Sequence, residues 1–212
     1  VSEIAIRPAG PDDDRDFARL MTMSDTTFLP FLFGKNFEQV VQKQFRNRRS
    51  LFSFEHVRIA EVEGSVAGML LAYTYDQMRR EMARWGAGFL GSVGLGFLVR
   101  LPVMLFHTIF RRRPAGPRPS WVNPGEYYLA NMAVFLEFRR QGIGRMLLAD
   151  AEARARELGC TCLALDVEAE NAAAVSLYER YGFIREQHNL QVMGKFEFLR
   201  FSKPVTVTMT AG

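Results

Sequence analysis

The chain has 212 residues, 48% of them hydrophobic and 24% charged, enough apolar material for one globular domain and its core. Nine Pro and seventeen Gly, scattered rather than periodic, exclude a collagen-like or low-complexity polymer. The net charge is +4, and eight Arg against one Asp and one Glu between Asp76 and Pro124 account for the whole excess.

Ile4-Ala5-Ile6-Arg7 alternates and is closed by Pro8 to Pro11, which predicts a short strand and a turn. Asp12, Asp13 and Asp14 put acceptors and negative charge at the start of a predicted helix through Phe17 and Leu20. Val40, Val41 and Gln44 recur at helical spacing within a second helix over Phe37 to Arg48. Val57 to Val62 and Val66 to Tyr73, joined at Glu63-Gly64, predict a hairpin.

From Asp76 the character changes, and residues 75–124 read as a variable insertion. Trp85 to Val99 has no charged residue and five Gly; a second apolar run, Leu101 to Phe110, is followed by Arg111, Arg112 and Arg113 and a Pro-rich link. An aromatic, Gly-rich insertion suits a hydrophobic lid or a homodimer contact. The flanking arginines also suit peripheral contact of 85–113 with an anionic lipid surface. Arg100 and Pro102 interrupt the run, which disfavours a membrane span. No recognisable nucleic-acid module accompanies the arginines, so nucleic acid is not an expected partner.

Beyond the link, Tyr127 to Phe135 predicts an apolar strand, Gly144 to Leu158 a helix ended by Gly159, and Cys162 to Val167 another strand. Asn171 to Tyr181 predicts a helix ended by Gly182, and final strands include Phe196 to Phe201 and a candidate at Val205 to Met209. Strand, helix, strand, helix, strand implies a parallel crossover. Cys160 and Cys162 stand alone as C-x-C without neighbouring histidine, so they read as small hydrophobes, with neither a disulfide framework nor a metal site expected. No signal peptide is visible before the first strand, which makes a cytoplasmic setting the expectation.

Arg139-Arg140-Gln141-Gly142-Ile143-Gly144 lies between an apolar strand and an amphipathic helix, where a loop can aim several N–H groups at an anion. Glycine at 142 and 144 leaves room for a phosphate against the backbone. A third glycine of the dinucleotide fingerprint is missing, as is the Lys-Ser/Thr of a P-loop. Asn171 and Tyr178 are seven apart, close to two helical turns, and share a face with Ala174.

Arg139, Gly142 and Gly144 match the Gln/Arg-x-x-Gly-x-Gly/Ala signature, and the chain here resembles the GNAT acetyltransferases. Asn171 to Tyr178 with Gly182-Phe183 is similar to that family's Asn-x-x-Ala-x-x-Leu-Tyr segment and its Gly-Phe close. The resemblance is specific over 127–183 and implies an acyl-CoA-binding core within a single domain over 1–212. The implied fold is α/β: a mixed, mostly antiparallel sheet with a splayed parallel strand pair and flanking helices. Implied ligand contacts are Arg139, Arg140, Gln141, Gly142, Ile143, Gly144 and Arg145 on the pyrophosphate of acetyl-CoA. Met132, Ala133 and Val134 would meet the pantetheine arm, with Asn171, Ala174 and Tyr178 beside it.

The implied activity is transfer of an acetyl or short acyl group to a primary amine by direct attack in a ternary complex, without a metal. Thiols titrate near about 8.5 and tyrosine near about 10, so Tyr178 suits the role of acid toward the departing sulfur. Glu126 at the start of the strand shares a face, by alternation, with Tyr128, Ala130 and Met132, and reads equally as proton acceptor or strand-entry surface charge. Asp166 and Glu168 are further candidates for that role. A non-catalytic acyl-CoA sensor and a membrane-surface enzyme with a hydrophobic acceptor are the alternatives.

Overall fold

The computed structural model describes residues 3–90, 122–192 and 196–206. Its strands are β1 (Ile4–Pro8), β2 (Val57–Val62), β3 (Ser65–Thr74), β4 (Glu126–Val134), β5 (Cys162–Glu168), β6 (Ile184–Val192) and β7 (Phe196–Pro204). They form one seven-stranded sheet in the order β1-β2-β3-β4-β5-β7-β6. Every pairing is antiparallel except β4 with β5. The mostly antiparallel mixed sheet with one parallel pair is as expected from the sequence.

The helices are α1 (Asp14–Ser24), α2 (Phe28–Phe33), α3 (Phe37–Phe45), α4 (Tyr75–Leu90), α5 (Ile143–Glu157) and α6 (Ala172–Tyr181). Phe17, Leu20 and Met21 of α1 and Val41 and Phe45 of α3 cover one face of the sheet with Ile59, Met69 and Leu71. Leu147, Leu148 and Ala151 of α5 cover the other, against Leu70, Leu129, Leu163 and Leu165. Both cores follow from strand alternation, which sends neighbouring residues to opposite faces.

Local chemistry sets the element ends. Glu63 and Gly64 both take positive φ (50° and 77°), the pairing a tight hairpin turn demands. Asn171 caps α6 by accepting the Ala174 N–H at 3.2 Å, and Gly182 (φ 96°) ends it. The expected aspartate cap of α1 is not formed. Asp13 instead accepts from Gly10 N–H and from Arg7, each at 2.7 Å, while buried Asp14 turns to Gln42 and Arg46, tying α1 to α3. The second predicted helix stops at Phe45, and Val205 and Thr206 lie outside any strand.

The insertion begins as helix α4, continuous with the end of β3. Residues 91–121, which carry most of the apolar and basic run and with it the membrane-surface, lid and homodimer expectations, lie outside the described residues. Among the described residues, no helix is long and apolar enough to cross a membrane.

Two features of β4 govern the middle of the sheet. Leu71 faces Asn131 and Ala72 faces Leu129, so Ala130 is an extra residue, a bulge that resets the alternation of β4. Met132, expected beside Tyr128 and Ala130, therefore packs on the opposite face with Leu129. Parallel pairing also covers only Glu126–Leu129 against Cys162–Leu165; beyond it β4 runs on to Val134 and β5 to Glu168 without pairing to each other.

Below that parting, Arg200 of β7 fastens three strands. Its guanidinium donates to Glu126 of β4 at 2.6 Å and to Asp166 of β5 at 2.8 Å, and the three side chains are only 10%, 11% and 4% exposed. Tyr128 adds an O–H to Asp166 at 3.0 Å, and Asn123 donates twice to Glu126, at 2.8 and 2.9 Å. Burial alone would lower the Arg200 pKa, but Asp166 and Glu126 hold it above its ordinary value.

Arg200→Met leaves two buried carboxylates facing each other, and we expect a loss of about 3–5 kcal/mol at pH 7. Burial already raises the Asp166 pKa and Arg200 opposes that rise, so without Arg200 the folded state would bind more protons than the unfolded chain and the deficit should shrink as the pH falls. Urea melts at pH 5 and pH 7.5 check both magnitude and sign. At Gly68, an added Cβ would stand 2.8 Å from the Ala133 carbonyl oxygen and 3.2 Å from a Val134 methyl, inside the β3–β4 ladder. Gly68→Ala should cost about 1–3 kcal/mol in the same melts, with an unchanged denaturant slope.

Candidate active site

Where β4 and β5 part, a cavity of about 320 Å³ opens. Its lining comes from both sides of the sheet. Tyr178, Ala174, Met132 and Val167 belong to the α5–α6 side, whereas Phe33, Phe52, Leu71, Tyr73 and Tyr128 belong to the α1–α3 side. The cavity thus draws its walls from both faces of the sheet at the split.

The loop from Arg139 to Gly142 hangs from the far end of β4. Arg139 Nε donates to the Val134 carbonyl at 3.1 Å, and Gln141 Nε2 to that of Glu137 at 3.3 Å. Left-handed φ at Arg140 (63°) and Gly142 (84°) curls the chain around a hollow ahead of α5, a conformation in which successive N–H groups can turn toward one side. Helix α5 starts at once, and its first-turn N–H groups have no intrahelical acceptor. Arg140, Gln141, Gly142 and Arg145 are exposed, so the hollow faces solvent, while Ile143 is core.

The two glycines differ. At Gly142 a Cβ would meet nothing within 4 Å, and positive φ is what calls for glycine. At Gly144 a Cβ would stand 3.2 Å from Leu177 and 3.9 Å from Met132. This glycine lets α5 approach α6 closely, a packing role that spacing alone did not separate from ligand access.

Along the cavity, Asn171 is held by its cap to Ala174, and Tyr178 is 9% exposed with its ring edge-on to Phe183, centroids 5.6 Å apart. Burial pushes the Tyr178 pKa up to about 12, so its phenol stays protonated. Across the split, Asp166 and Glu168 of β5 also line the cavity. Burial raises the Asp166 pKa above the ordinary carboxylate range, with Arg200 and Tyr128 pulling the other way. Glu168 accepts a hydrogen bond from Thr27, which ties the loop before α2 to the end of β5, and Asn131 donates to Ser24 at 3.1 Å.

Glu126 is not brought to this cavity: it is buried in the Arg200 clasp with both oxygens occupied by Asn123 and Arg200. Met132 lines it from the face opposite to the one alternation implied, and the Ala133 side chain is buried in the α1–α3 core. Sequence reasoning missed Arg200 and the apolar wall of Leu29, Phe33, Phe52, Leu71, Met78 and Met82. One signal for Arg200 was present: a lone cation inside the apolar run Phe198-Leu199-Arg200-Phe201 asks for a buried carboxylate nearby.

The model of the acetyltransferase (GNAT) family matches residues 21–183. A ribosomal protein bS18-alanine N-acetyltransferase of Salmonella typhimurium is 36% identical over 86 residues, 39% of this chain and 58% of that protein. The match therefore spans little more than half the length of that curated relative. Among solved structures, an N-acetyltransferase from Staphylococcus aureus shares the fold at TM-score 0.68 and 22% identity, covering 94% of this chain and all of the other. So does the NatC complex bound to Gag peptide and CoA, at TM-score 0.55 and 17% identity, covering 96% of this chain and 99% of that one. With its family match running from α1 through the glycine loop to Phe183, the chain belongs to the GNAT family of acetyltransferases.

Proposed function

We propose that this protein transfers an acetyl group from acetyl-CoA to a primary amine, with donor and acceptor meeting at the split between β4 and β5. The observation that carries this reading is the cavity that joins the two faces of the sheet there, with Tyr178 on one side and Asp166 on the other. Such a passage brings two substrates together for direct attack in a ternary complex.

The backbone N–H groups of Arg140 to Arg145 would hold the pyrophosphate, helped by the α5 N-terminus. The stretch of β4 at Met132, Ala133 and Val134, which β5 leaves unpaired, would take the pantetheine arm as a strand takes a neighbour. Asn171 and Ala174 would flank that arm. A thioester supplies an activated acyl carbon and a sulfur leaving group. The attacking amine must arrive neutral, and Asp166, whose basicity burial increases, would accept its proton. The new N–C bond forms and the C–S bond breaks; Tyr178 would donate its proton to the departing sulfur and be reprotonated, through solvent, by the proton that the nitrogen releases as the amide forms.

Glu126 then acts at one remove. It shares Arg200 with Asp166 and so fixes the orientation of the carboxylate that lines the cavity. The bS18-alanine enzyme, by its name, acetylates an alanine of a ribosomal protein, which supports an amine as the acceptor here.

Free-CoA release followed with a thiol reagent across a panel of amines tests the reading. We expect Tyr178→Phe to lower kcat roughly 100-fold or more, with acetyl-CoA affinity by calorimetry changed less than about threefold. Asp166→Asn should lower kcat/KM to a similar degree and abolish its acidic limb, which in the parent protein should lie above the pH of an ordinary carboxylate. The alkaline side should stay flat through about pH 9.5, since Tyr178 ionises only near about 12. CoA release that is amine-independent, or equal in Tyr178→Phe and the parent, would defeat the proposal.

A further inference from the structure

Resting on the transfer reading above, we infer that the acceptor carries its ammonium on an apolar body: an alkyl or aryl amine, or a peptide amine beside an apolar side chain. Polycationic and hydroxylated amines are disfavoured. On the side of the split away from Tyr178, the wall is Leu29, Phe33, Phe52, Leu71, Met78 and Met82. Among the described residues, no lysine or arginine lines the cavity, and the carboxylates that do are Asp25, Asp166 and Glu168.

These groups are already engaged in ways that narrow the choice. Asp25 accepts the N–H groups of Thr27 and Leu29, both at 3.1 Å, and Glu168 accepts from Thr27. Tyr73 spends its hydroxyl on the Leu51 carbonyl, and Tyr128 gives its own to Asp166. Glu81, buried on α4, does not line the cavity. One ammonium beside Asp166 is thus matched, whereas a second cation or a hydroxyl lying along the apolar wall, away from Asp25 and Glu168, would be desolvated without compensation. Thioethers from Met78 and Met82 give that wall an adaptable surface, suited to a range of apolar shapes.

Steady-state CoA release tests this with n-butylamine to n-octylamine and phenethylamine against spermidine and 2-(2-aminoethoxy)ethanol. We expect kcat/KM to climb about threefold to fourfold per methylene between butyl and hexyl, from the transfer free energy of a buried methylene. Both polar amines should fall at least tenfold below n-hexylamine. Met82 is 54% exposed, so Met82→Lys should fold normally. It should raise KM for n-hexylamine at least fivefold with kcat nearly unchanged, and Met82→Leu should restore it. Peptides beginning with Phe or Ser separate the sources: reaction of the Phe peptide alone assigns the amine to polypeptide, and reaction of n-hexylamine alone to a small molecule, the apolar preference holding in either case.

A flat alkyl series, or spermidine equal to n-hexylamine, would overturn the inference while leaving transfer intact. If no amine releases CoA, the transfer reading fails. Saturation-transfer NMR in the presence of acetyl-CoA then decides the inference separately: contact with n-hexylamine but not spermidine supports it, and the reverse or equal contact overturns it.

Discussion

The Arg200 guanidinium satisfies two buried carboxylates from neighbouring strands, and the shape of the site depends on where that clasp lies. Glu126 stands at the first residue of β4, and Asp166 stands one residue past Leu165, the last position at which β5 pairs with β4. The ion pairs and the Tyr128–Asp166 hydrogen bond therefore hold the strands together up to the point where their backbones separate. A charge so deeply buried is tolerable only when paired and hydrogen-bonded on several sides, which the surrounding donors provide. The same pairing leaves Asp166 at the cavity wall in a fixed orientation.

Above the clasp, the single extra residue at Ala130 does two things. It moves Met132 to the α5 side, and it coincides with the end of β4–β5 pairing, so the strand carries backbone groups past β5 without pairing to it. Meanwhile Arg139 reaches back to Val134 and Gly144 admits Leu177, drawing the glycine loop and α6 toward that free edge. The glycine loop, the strand edge that β5 leaves unpaired and Tyr178 are thereby set along one side of the sheet. The carboxylates and apolar wall occupy the other.

What could be read in the sequence was what is local in it. The hairpin turn at Glu63-Gly64, the Asn171 cap and the Arg139 to Gly144 loop each depend on a few adjacent residues with strong conformational demands. The fold class followed from the order of such elements. Alternation failed at Met132 because a bulge changes the count by one and leaves no mark in residue type. Glu126 was ambiguous because its partner is 74 residues away, and a strand-entry carboxylate looks the same whether solvated or clasped. The apolar wall was illegible for a similar reason. Leu29, Phe52, Leu71 and Met78 come from four separate segments, and each alone reads as ordinary core.

Burial acts on Tyr178 and Asp166 in the same direction, yet the consequences for chemistry are opposite. Desolvation disfavours the charged form of both groups, so each pKa rises. For the tyrosine, a higher pKa keeps the proton in place while widening the gap to a thiol, so in the proposed reaction it would move only as negative charge grows on the leaving sulfur. For the aspartate, it means a stronger affinity for a proton arriving with an amine. Arg200 opposes the second effect, since its positive charge favours the ionised carboxylate. In the proposed reaction a single low-dielectric passage would thus hold a neutral phenol on one face and a cation-paired carboxylate on the other.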